Sequence, residues 1–340
     1  MKTYYWMKKL TAALGVVLAG AILPGTAAAA GTTAPPKALV ANIAPATGIL
    51  TTSGPTILYT FPKINGTVVG VPNGTTAYVA TMVVGGVTRT YFVIRPTATA
   101  TAPAPLLLLL HPNGTSPESM ADLTGVAPYV LTQGFWAVMP AAVNGKWGDD
   151  PSNSTDADVQ FISALIDTLV ADGVDATRVY AAGYSNGAFM TERLACELSN
   201  KIAAFSIDAA TLRTGLESVC SPAVQRPKQY FLGTADSIVP YDGWPIASML
   251  SATATMSFWA SQQGCGGTVA TTLPSLVAKD KTSVQLTDYT GCTAGGDLRL
   301  YTVYGGGHAW PDGMTQMIGV TTQDINATGL AWSFSSQYHL

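Results

Sequence analysis

The chain has 340 residues, of which 11% are charged and 48% hydrophobic, and its formal net charge is −3. This charge-poor, mildly acidic composition argues against nucleic acid and anionic membranes as partners. The length is enough for one α/β domain and leaves little for a second.

Residues 1–30 have the three parts of a signal peptide. Lys2, Lys8 and Lys9 make the start positive, residues 10–23 form an apolar core too short to span a bilayer, and residues 28–30 are small, as at a cleavage site. We therefore expect a secreted protein that begins near Gly31 and has no membrane anchor. Cleavage would remove three of the 17 basic residues and none of the 20 acidic ones, which makes the mature chain more acidic.

The next segment, residues 31–75, is rich in Ala, Thr and Pro, and we expect it to be loosely ordered. The pattern changes at the start of the predicted folded domain, residues 76–340. Residues 78–84 and 89–95 are two runs rich in apolar and β-branched residues, and they are split by Gly85 and Gly86. This spacing predicts an antiparallel hairpin.

After the hairpin, apolar runs typical of buried strands alternate with segments of helical periodicity. Such alternation predicts an α/β fold: a doubly wound, mostly parallel sheet with helices on both faces. The predicted strands are 106–110, 135–139, 178–182, 203–207, 229–234 and 298–304, and the predicted helices are 156–169 and 187–198.

Ser185 is the candidate nucleophile. It lies between a predicted strand and a predicted helix, with Gly183 two residues before it and Gly187 two residues after it. A serine in such a sharp turn is strained, and flanking glycines leave room for close packing of strand and helix. A glycine-rich turn without chemistry is the alternative.

His308 is the candidate base. The chain has three histidines. His339 is the penultimate residue, where chain ends usually fray, and His111 lies between a predicted strand and a turn. Only His308 lies late in the chain in a glycine-rich loop, 305–307, after a predicted strand. So few scattered histidines give no metal-ligand spacing, and we expect neither a metal nor a cofactor.

Asp236 is the favoured acid because it directly follows the predicted strand 229–234. Catalytic groups collect at the carboxyl ends of strands in open α/β sheets. Asp208, at the end of the preceding strand, and Asp242, in a turn, are alternatives. With Asp236 the chain order is serine, acid, histidine, which is the order of the α/β-hydrolase triad.

The four cysteines all lie in the second half of the chain, and in an exported protein an even number favours disulfides. They are Cys196, Cys220, Cys265 and Cys292. Four cysteines allow three pairings, and buried free thiols are the alternative.

The residues from 91 to 313 resemble the secreted poly(3-hydroxybutyrate) depolymerase and feruloyl esterase family of α/β-hydrolases. The resemblance implies that Ser185 is the nucleophile, Asp236 the acid and His308 the base. It also favours the pairings Cys196–Cys220 and Cys265–Cys292. The matching motifs are Asp158-Val159, Arg178-Val179-Tyr180, Ser185-Asn186-Gly187, Leu194-Ala195-Cys196-Glu197, Gly233-Thr234-Ala235-Asp236, Val239-Pro240-Tyr241, Gly264-Cys265, Tyr289-Thr290-Gly291-Cys292 and Gly306-Gly307-His308-Ala309-Trp310-Pro311.

The chain departs from this family at one place, where the family usually has His-Gly and this chain has His111-Pro112-Asn113-Gly114. An oxyanion hole needs a main-chain N–H from this loop besides that of Asn186, the residue after the nucleophile. Pro112 has no N–H. The donor therefore shifts to Asn113, Gly114 or Thr115, or to the side-chain amide of Asn113.

Five aromatic residues lie in or beside the loops that this fold brings near the triad, and we assign them to substrate binding. They are Trp147, Tyr184, Tyr241, Trp244 and Trp310. Their rings could hold an aromatic acyl group or the apolar face of a polyester. For Trp147 and Trp310, packing in the core is an equally supported alternative.

The sequence therefore predicts a serine carboxylic-ester hydrolase acting on polymer-borne esters, either polyesters or feruloyl and acetyl esters of polysaccharide. The alternatives are an amide-bond hydrolase with the same triad, for example on poly(aspartate), and a binding protein of the same fold without turnover. We expect a monomer.

Overall fold

A computed structural model describes residues 57–58, 63–64, 67–68, 71–98, 102–152, 154–293, 295–313 and 318–340. The predicted signal peptide, and most of the segment 31–75, lie outside the described residues. The strands are β1 (Ile57–Leu58), β2 (Lys63–Ile64), β3 (Thr67–Val68), β4 (Thr75–Val84), β5 (Val87–Pro96), β6 (Ala104–Leu110), β7 (Trp136–Pro140), β8 (Val174–Tyr184), β9 (Ala204–Asp208), β10 (Lys228–Gly233), β11 (Gly267–Thr272), β12 (Ser283–Thr290) and β13 (Leu298–Tyr304). The helices are α1 (Pro117–Thr124), α2 (Ala127–Gln133), α3 (Ala157–Ala171), α4 (Asn186–Glu197), α5 (Thr214–Glu217), α6 (Ala252–Gln262) and α7 (Ala327–Ser335).

Within the described residues, eleven strands form one sheet in the order β1-β4-β5-β7-β6-β8-β9-β10-β13-β12-β11. The central strands of the sheet run parallel to one another; in order across the sheet they are β7, β6, β8, β9, β10 and β13. Antiparallel strands flank them on both sides: β5, β4 and β1 at one edge, and β12 and β11 at the other. The predicted α/β fold and the hairpin of β4 and β5 are confirmed.

Two apolar cores lie on opposite faces of the sheet, because successive side chains of a strand point to opposite sides. Leu106, Leu108 and Leu110 of β6 belong to one core, which is covered by α3, α4 and α6. Leu107 and Leu109 belong to the other, which is covered by α1, α2 and α7. Burying one leucine side chain contributes about 1.5–3 kcal/mol, so the all-apolar run of β6 anchors the centre of the sheet.

The sheet begins earlier in the chain than the predicted domain boundary at residue 76. The two-residue strand β1 pairs with β4 in antiparallel register, and β4 itself starts at Thr75. Part of the segment that we expected to be loosely ordered therefore belongs to the sheet.

Two disulfides join the four cysteines in the predicted pairing. Cys196 near the end of α4 is bonded to Cys220, and Cys265 before β11 is bonded to Cys292 after β12. The first bond holds the segment after α5 against α4, the helix that follows Ser185. The second closes the β11–β12 hairpin at the edge of the sheet.

A search of the described residues for a membrane-spanning helix, by length and hydropathy, found none.

Candidate active site

Ser185 occupies a sharp turn between β8 and α4. Its backbone has φ 55° and ψ −121°, a conformation that is rare for a residue with a side chain. The turn is closed by a hydrogen bond from the Ser185 N–H to the main-chain oxygen of Asp208, at 3.0 Å. This geometry exposes the serine side chain at the carboxyl edge of the parallel strands.

Gly183 and Gly187 are required because other parts of the main chain pass too close to them to leave room for a side chain. A Cβ atom on Gly183 would overlap the main-chain oxygen of Gly187, and one on Gly187 would overlap the main-chain oxygen of Leu110. Any side chain at either position would therefore push the helix away from the sheet.

Ser185, His308 and Asp236 form a continuous chain of hydrogen bonds. The Nε2 atom of His308 lies 2.9 Å from the Ser185 Oγ atom, and its Nδ1 atom lies 2.8 Å from an Asp236 carboxylate oxygen. With Nδ1 protonated, the imidazole donates to Asp236 and its free Nε2 can accept the serine proton. This is the arrangement that turns a serine into a nucleophile.

The Asp236 carboxylate is held by the backbone that follows it. One of its oxygens accepts hydrogen bonds from the N–H groups of Ile238 and Val239, each at 2.8 Å, while the other bonds His308. Both His308 and Asp236 are buried. Burial from water strengthens the electrostatic interaction between them.

The alternative acids do not make this contact. Asp208 is buried at the end of β9, and neither of its carboxyl oxygens has a hydrogen-bond partner among the described residues. Burial, and then the nearby charge of Asp236, raise the pKa of Asp208 well above its ordinary value. Asp208 therefore lies behind the site without a hydrogen bond to His308 among the described residues, and the exposed Asp242 lies in a turn, as expected.

No family model matches the chain. The chain is 28% identical to feruloyl esterase B of Piromyces equi over 250 residues, which cover 69% of the chain and 42% of that protein. It is also 28% identical over 278 residues to a protein named as an esterase, NocK, of Nocardia uniformis subsp. tsuyamanensis, with 74% of the chain and 80% of that protein covered.

A solved structure of a thermostable esterase shares the fold, with a TM-score of 0.50 at 14% identity. The match covers 79% of the chain and 64% of that structure. The chain is similar in sequence to feruloyl esterases and other esterases, and it shares the fold of a solved esterase. It spans less than half of the length of feruloyl esterase B. The feruloyl esterase part of the predicted resemblance is confirmed, and the depolymerase part stays a prediction.

The Tyr184 ring lies 5.1 Å from the imidazole of His308, and the Trp310 ring packs edge-on against Tyr184. The Tyr184 hydroxyl donates to the main-chain oxygen of His308, and the Trp310 indole N–H donates to the Thr328 hydroxyl, at 3.0 Å. Trp310 is only 1% exposed, and Tyr184 is also buried. Their burial favours packing in the core, and the contact of these two rings with a substrate stays a prediction.

Trp147 is also buried, at 1% exposure, and hydrogen-bonds to the main chain of His111 and to the side chain of Asn186. Its indole N–H donates to the main-chain oxygen of His111 at 2.9 Å, and its main-chain N–H donates to the Asn186 side chain at 2.8 Å. These contacts favour the packing alternative for Trp147, and its role in substrate binding stays a prediction.

The two remaining predicted aromatic residues lie in the loop after β10. Tyr241 is half-buried and its hydroxyl is 3.1 Å from that of Thr302. Trp244 is 47% exposed. Of the five rings assigned to substrate binding, Trp244 offers the largest free surface.

The predicted oxyanion donors differ in their availability. Asn186 is the first residue of α4, and the first N–H groups of a helix have no acceptor within the helix. The N–H of Gly114 donates to the main-chain oxygen of Gly145 at 2.8 Å, so it is already used. Asn113 is exposed in the same turn.

Sequence reasoning missed two kinds of residue at this site. His111 was treated as a strand end, although its imidazole is fixed between two loops. Ile238 and Ile318 are exposed, and their N–H groups bond to Asp236 and His308 respectively. The position of Ile238 two residues after the acid was a signal that could have been used.

No cluster of three or more histidine, cysteine or acidic side chains suited to a metal ion is found where the structure is described.

Proposed function

We propose that the protein is a serine carboxylic-ester hydrolase with Ser185 as nucleophile, His308 as general base and acid, and Asp236 as the group that orients His308. The observation that carries this proposal is the hydrogen-bonded chain from Ser185 through His308 to Asp236, with Ser185 in a strained strand-to-helix turn. The relationship to esterases supports it.

The reaction follows from this geometry. His308 Nε2 takes the proton of Ser185 as Oγ attacks the ester carbonyl carbon, and the carbonyl oxygen becomes an oxyanion next to the N–H of Asn186. The tetrahedral intermediate breaks the bond to the alcohol, which leaves with the proton from His308. Water then repeats these steps on the acyl-enzyme and releases the acid.

The test is turnover of p-nitrophenyl butyrate and of the matched anilide by the wild type and by Ser185→Ala. We expect ester hydrolysis that the variant loses, with a much lower rate on the anilide. An anilide rate equal to the ester rate would support an amide hydrolase. Failure of a fluorophosphonate probe to label folded protein at Ser185 would support a binding protein instead.

The proposed substrate is an ester carried by an uncharged, apolar polymer. Large apolar side chains are exposed on the loops that follow β10 and β13, which carry the acid and the base of the triad. Ile246 is 93% exposed on a short turn. We call these exposed apolar side chains the apolar rim; they are Ile238, Trp244, Ile246, Ile318 and Val320.

The charge of these two loops supports the same proposal. Residues 234–250 and 305–326 contain no lysine or arginine. An anionic polymer such as poly(aspartate) would find no cation there to pair with its carboxylates. An uncharged polyester chain can lie across the apolar rim without desolvating a charge.

Feruloyl or acetyl esters of polysaccharide are the second candidate, since relatives are named feruloyl esterase and acetylxylan esterase/xylanase. A panel of poly(3-hydroxybutyrate), poly(ethylene terephthalate), methyl ferulate and acetylated xylan separates the two classes. The variant Ile246→Ser should lower adsorption to polyester films and leave hydrolysis of p-nitrophenyl acetate intact. Preferred turnover of acetylated xylan or methyl ferulate, with no effect of Ile246→Ser on either, would reject the polyester assignment.

Export from the cell and a monomeric state are also proposed. The two disulfides support export, because such bonds persist in oxidising compartments. Sequencing the N-terminus of protein collected from the medium should find a start near Gly31. Size-exclusion chromatography with light scattering should give the mass of one chain, and a larger mass would reject the monomer.

A further inference from the structure

Two residues of the apolar rim, Trp244 and Ile246, lie on one short hairpin. The main-chain N–H groups of Trp244 and Met249 each donate to the main-chain oxygen of the other, at 2.9 Å and 3.1 Å. We call residues 244–249 the rim hairpin. Ile246 at its tip is 93% exposed, so packing of this side chain contributes little to the position of the hairpin.

The segment that follows β9 holds the rim hairpin through the main chain. Two hydrogen bonds, one on each side of Arg213, run between residues 212–214 and residues 248–250, at 3.0 Å and 3.1 Å. Arg213 itself forms an antiparallel bridge with Met249. The rim hairpin is therefore joined to the segment that carries Arg213.

The guanidinium group of Arg213 contacts three different parts of the chain. One nitrogen donates to the main-chain oxygen of Ala247 in the rim hairpin, at 3.2 Å. The Nε atom donates to the carboxylate of Asp149, which lies between β7 and α3. The Cζ atom lies 4.1 Å from the centre of the Phe189 ring. An arginine can make all three contacts because its group is planar, presents several donors in fixed directions and stacks on aromatic rings.

Both partners of this ion pair are attached to the start of α4. The main-chain N–H of Phe189 donates to the main-chain oxygen of Ser185 at 3.0 Å. Trp147 lies two residues before Asp149, and its main-chain N–H donates to the side chain of Asn186 at 2.8 Å. The ion pair therefore connects the rim hairpin to the turn that carries the proposed nucleophile.

The ion pair also neutralises a positive charge next to the apolar rim. The side chains of Arg213 and Asp149 are only 18% and 8% exposed, and a mostly buried pair is screened less by salt than a pair at the surface. Residues 234–250 contain no lysine or arginine. An uncharged polymer on the rim hairpin thus meets a guanidinium that is already paired.

We propose that Arg213 and Asp149 are positioning residues that fix the rim hairpin beside the nucleophile, and that through the hairpin they determine how strongly the enzyme binds a polymeric ester. This inference rests on the proposed hydrolysis of esters in an uncharged polymer. A hairpin that is fixed before binding loses less conformational freedom when the polymer settles on it. A small soluble ester does not need the hairpin, so its hydrolysis depends much less on the ion pair.

The test compares Arg213→Met with a matched control, Arg299→Met. Arg299 is also paired with an aspartate, Asp288, and its guanidinium also lies over a phenylalanine ring, that of Phe334, at 5.1 Å. It is the second residue of β13 and lies at the opposite end of this strand from the loop that carries His308. The control removes the same kind of contacts away from the rim hairpin.

The measurements are binding and hydrolysis of poly(3-hydroxybutyrate) and hydrolysis of p-nitrophenyl acetate. We expect Arg213→Met to raise the amount of polymer needed for half-saturation about fivefold, since a hairpin that is not fixed has to be ordered on binding. The kcat and KM on p-nitrophenyl acetate should change little, and Arg299→Met should change neither property. Equal effects of the two substitutions on half-saturation, or an equally large loss of Arg213→Met on p-nitrophenyl acetate, would overturn the inference.

Two further variants test whether the pair acts as a unit. Arg213→Lys keeps the charge but lacks the planar group, so it cannot keep both hydrogen bonds and the ring contact, and it should recover only part of the polymer binding. Asp149→Asn should weaken polymer binding in the same direction as Arg213→Met. The double variant should lose no more than Arg213→Met alone, because both changes remove one interaction. Additive losses would overturn the assignment.

Hydrogen exchange followed by mass spectrometry measures the hairpin itself. In Arg213→Met the amides of residues 244–250 should exchange faster than in the wild type, while those of β12 keep their rate. Arg213→Lys takes the place of Arg213→Met in each measurement if the latter does not fold. Unchanged exchange at residues 244–250 would show that the ion pair does not fix the hairpin, and the inference would be wrong.

Failure of this inference and failure of the proposed function give different results. If the wild type hydrolyses p-nitrophenyl butyrate and the polyester, but Arg213→Met binds the polyester as tightly as the wild type does, only the inference fails. If the wild type hydrolyses soluble esters and does not bind the polyester, the proposed polyester substrate fails and the inference fails with it. If the wild type neither hydrolyses esters nor reacts at Ser185, the proposed function as a whole fails.

Discussion

The hydroxyl group of Tyr184 donates a hydrogen bond to the main-chain oxygen of His308 at 2.9 Å, and the two rings lie 5.1 Å apart. Tyr184 immediately precedes the proposed nucleophile Ser185, so the end of β8 also holds the loop that carries the proposed base, His308. Burial, together with the charges of Asp208 and Asp236, raises the pKa of the Tyr184 phenol, which keeps its donor proton in place.

Tyr184→Phe should therefore misplace His308 without emptying the core. The ring remains, but the main-chain oxygen of His308 loses one of its two donors and keeps the Ile318 N–H, at a cost of about 1 kcal/mol of stability. We expect kcat on p-nitrophenyl butyrate to fall while KM changes little, measured together with urea unfolding. A change in KM alone would indicate that Tyr184 contacts the substrate after all.

Trp310→Ala should destabilise the protein and reduce activity on all esters to the same degree. The ring is buried between the Tyr184 ring and Thr328, and removing a buried tryptophan costs about 3–5 kcal/mol. Thermal unfolding and kinetics on p-nitrophenyl acetate and on a bulky aromatic ester check this expectation. A loss confined to the bulky ester would support the substrate-binding role.

Asp236→Asn and Asp208→Asn form a matched pair. Asp236→Asn removes the carboxylate that fixes the His308 tautomer, which in serine proteases lowers kcat about 10,000-fold. Asp208 makes no hydrogen bond to His308 among the described residues, and burial raises its pKa, so an amide of similar shape is expected to replace it with a much smaller loss. If Asp208→Asn were the more damaging change in steady-state kinetics, the acid would be Asp208.

His111 should make the protein less stable as pH falls. Burial is the main reason that the pKa of His111 is lowered from 6.5, against weaker raising effects of the Pro112 carbonyl, Glu118 and Asp158. Below about pH 6.5 the imidazole binds a proton in the unfolded chain but not in the folded protein. The free energy of unfolding is therefore highest above about pH 6.5, and it falls as the pH drops toward the lowered pKa of the folded state.

Urea unfolding at neutral pH and at pH values below that of the free imidazole measures this effect. The acid-induced loss should be smaller in His111→Asn, which has no imidazole at this position, by up to about 1.4 kcal/mol per pH unit. An equal loss in the wild type and the variant would show that other groups cause the acid sensitivity.

The two disulfides should contribute similar stability. They join residues 24 and 27 positions apart, and closing a loop of this size stabilises by about 3 kcal/mol in the chain-entropy model. Removing the pair Cys196 and Cys220, or the pair Cys265 and Cys292, by alanine substitution should lower the free energy of unfolding by this amount. A negligible loss for either pair in urea unfolding would contradict the entropic account for that bond.

Local backbone requirements made much of the site predictable from the sequence. The glycines around Ser185, and the strand and helix on either side, follow from a turn that leaves no room for side chains at Gly183 and Gly187. The strands of the parallel sheet were predictable because buried strands are continuous apolar runs. The antiparallel edge strands β11 and β12 were missed, since β11 is exposed and its residues lack an apolar pattern.

The sequence by itself determined the three residues that the structure brings into one hydrogen-bonded chain, together with the α/β alternation, because these depend on chain order and local conformation. Only the tertiary structure decided which aromatic rings are free. Trp310 beside a glycine-rich loop gives the same local pattern whether its ring faces water or packs against Thr328, 18 residues later in α7. The position of the His111 ring likewise depends on Ala142, which follows β7 and is brought near only by the pairing of β6 with β7.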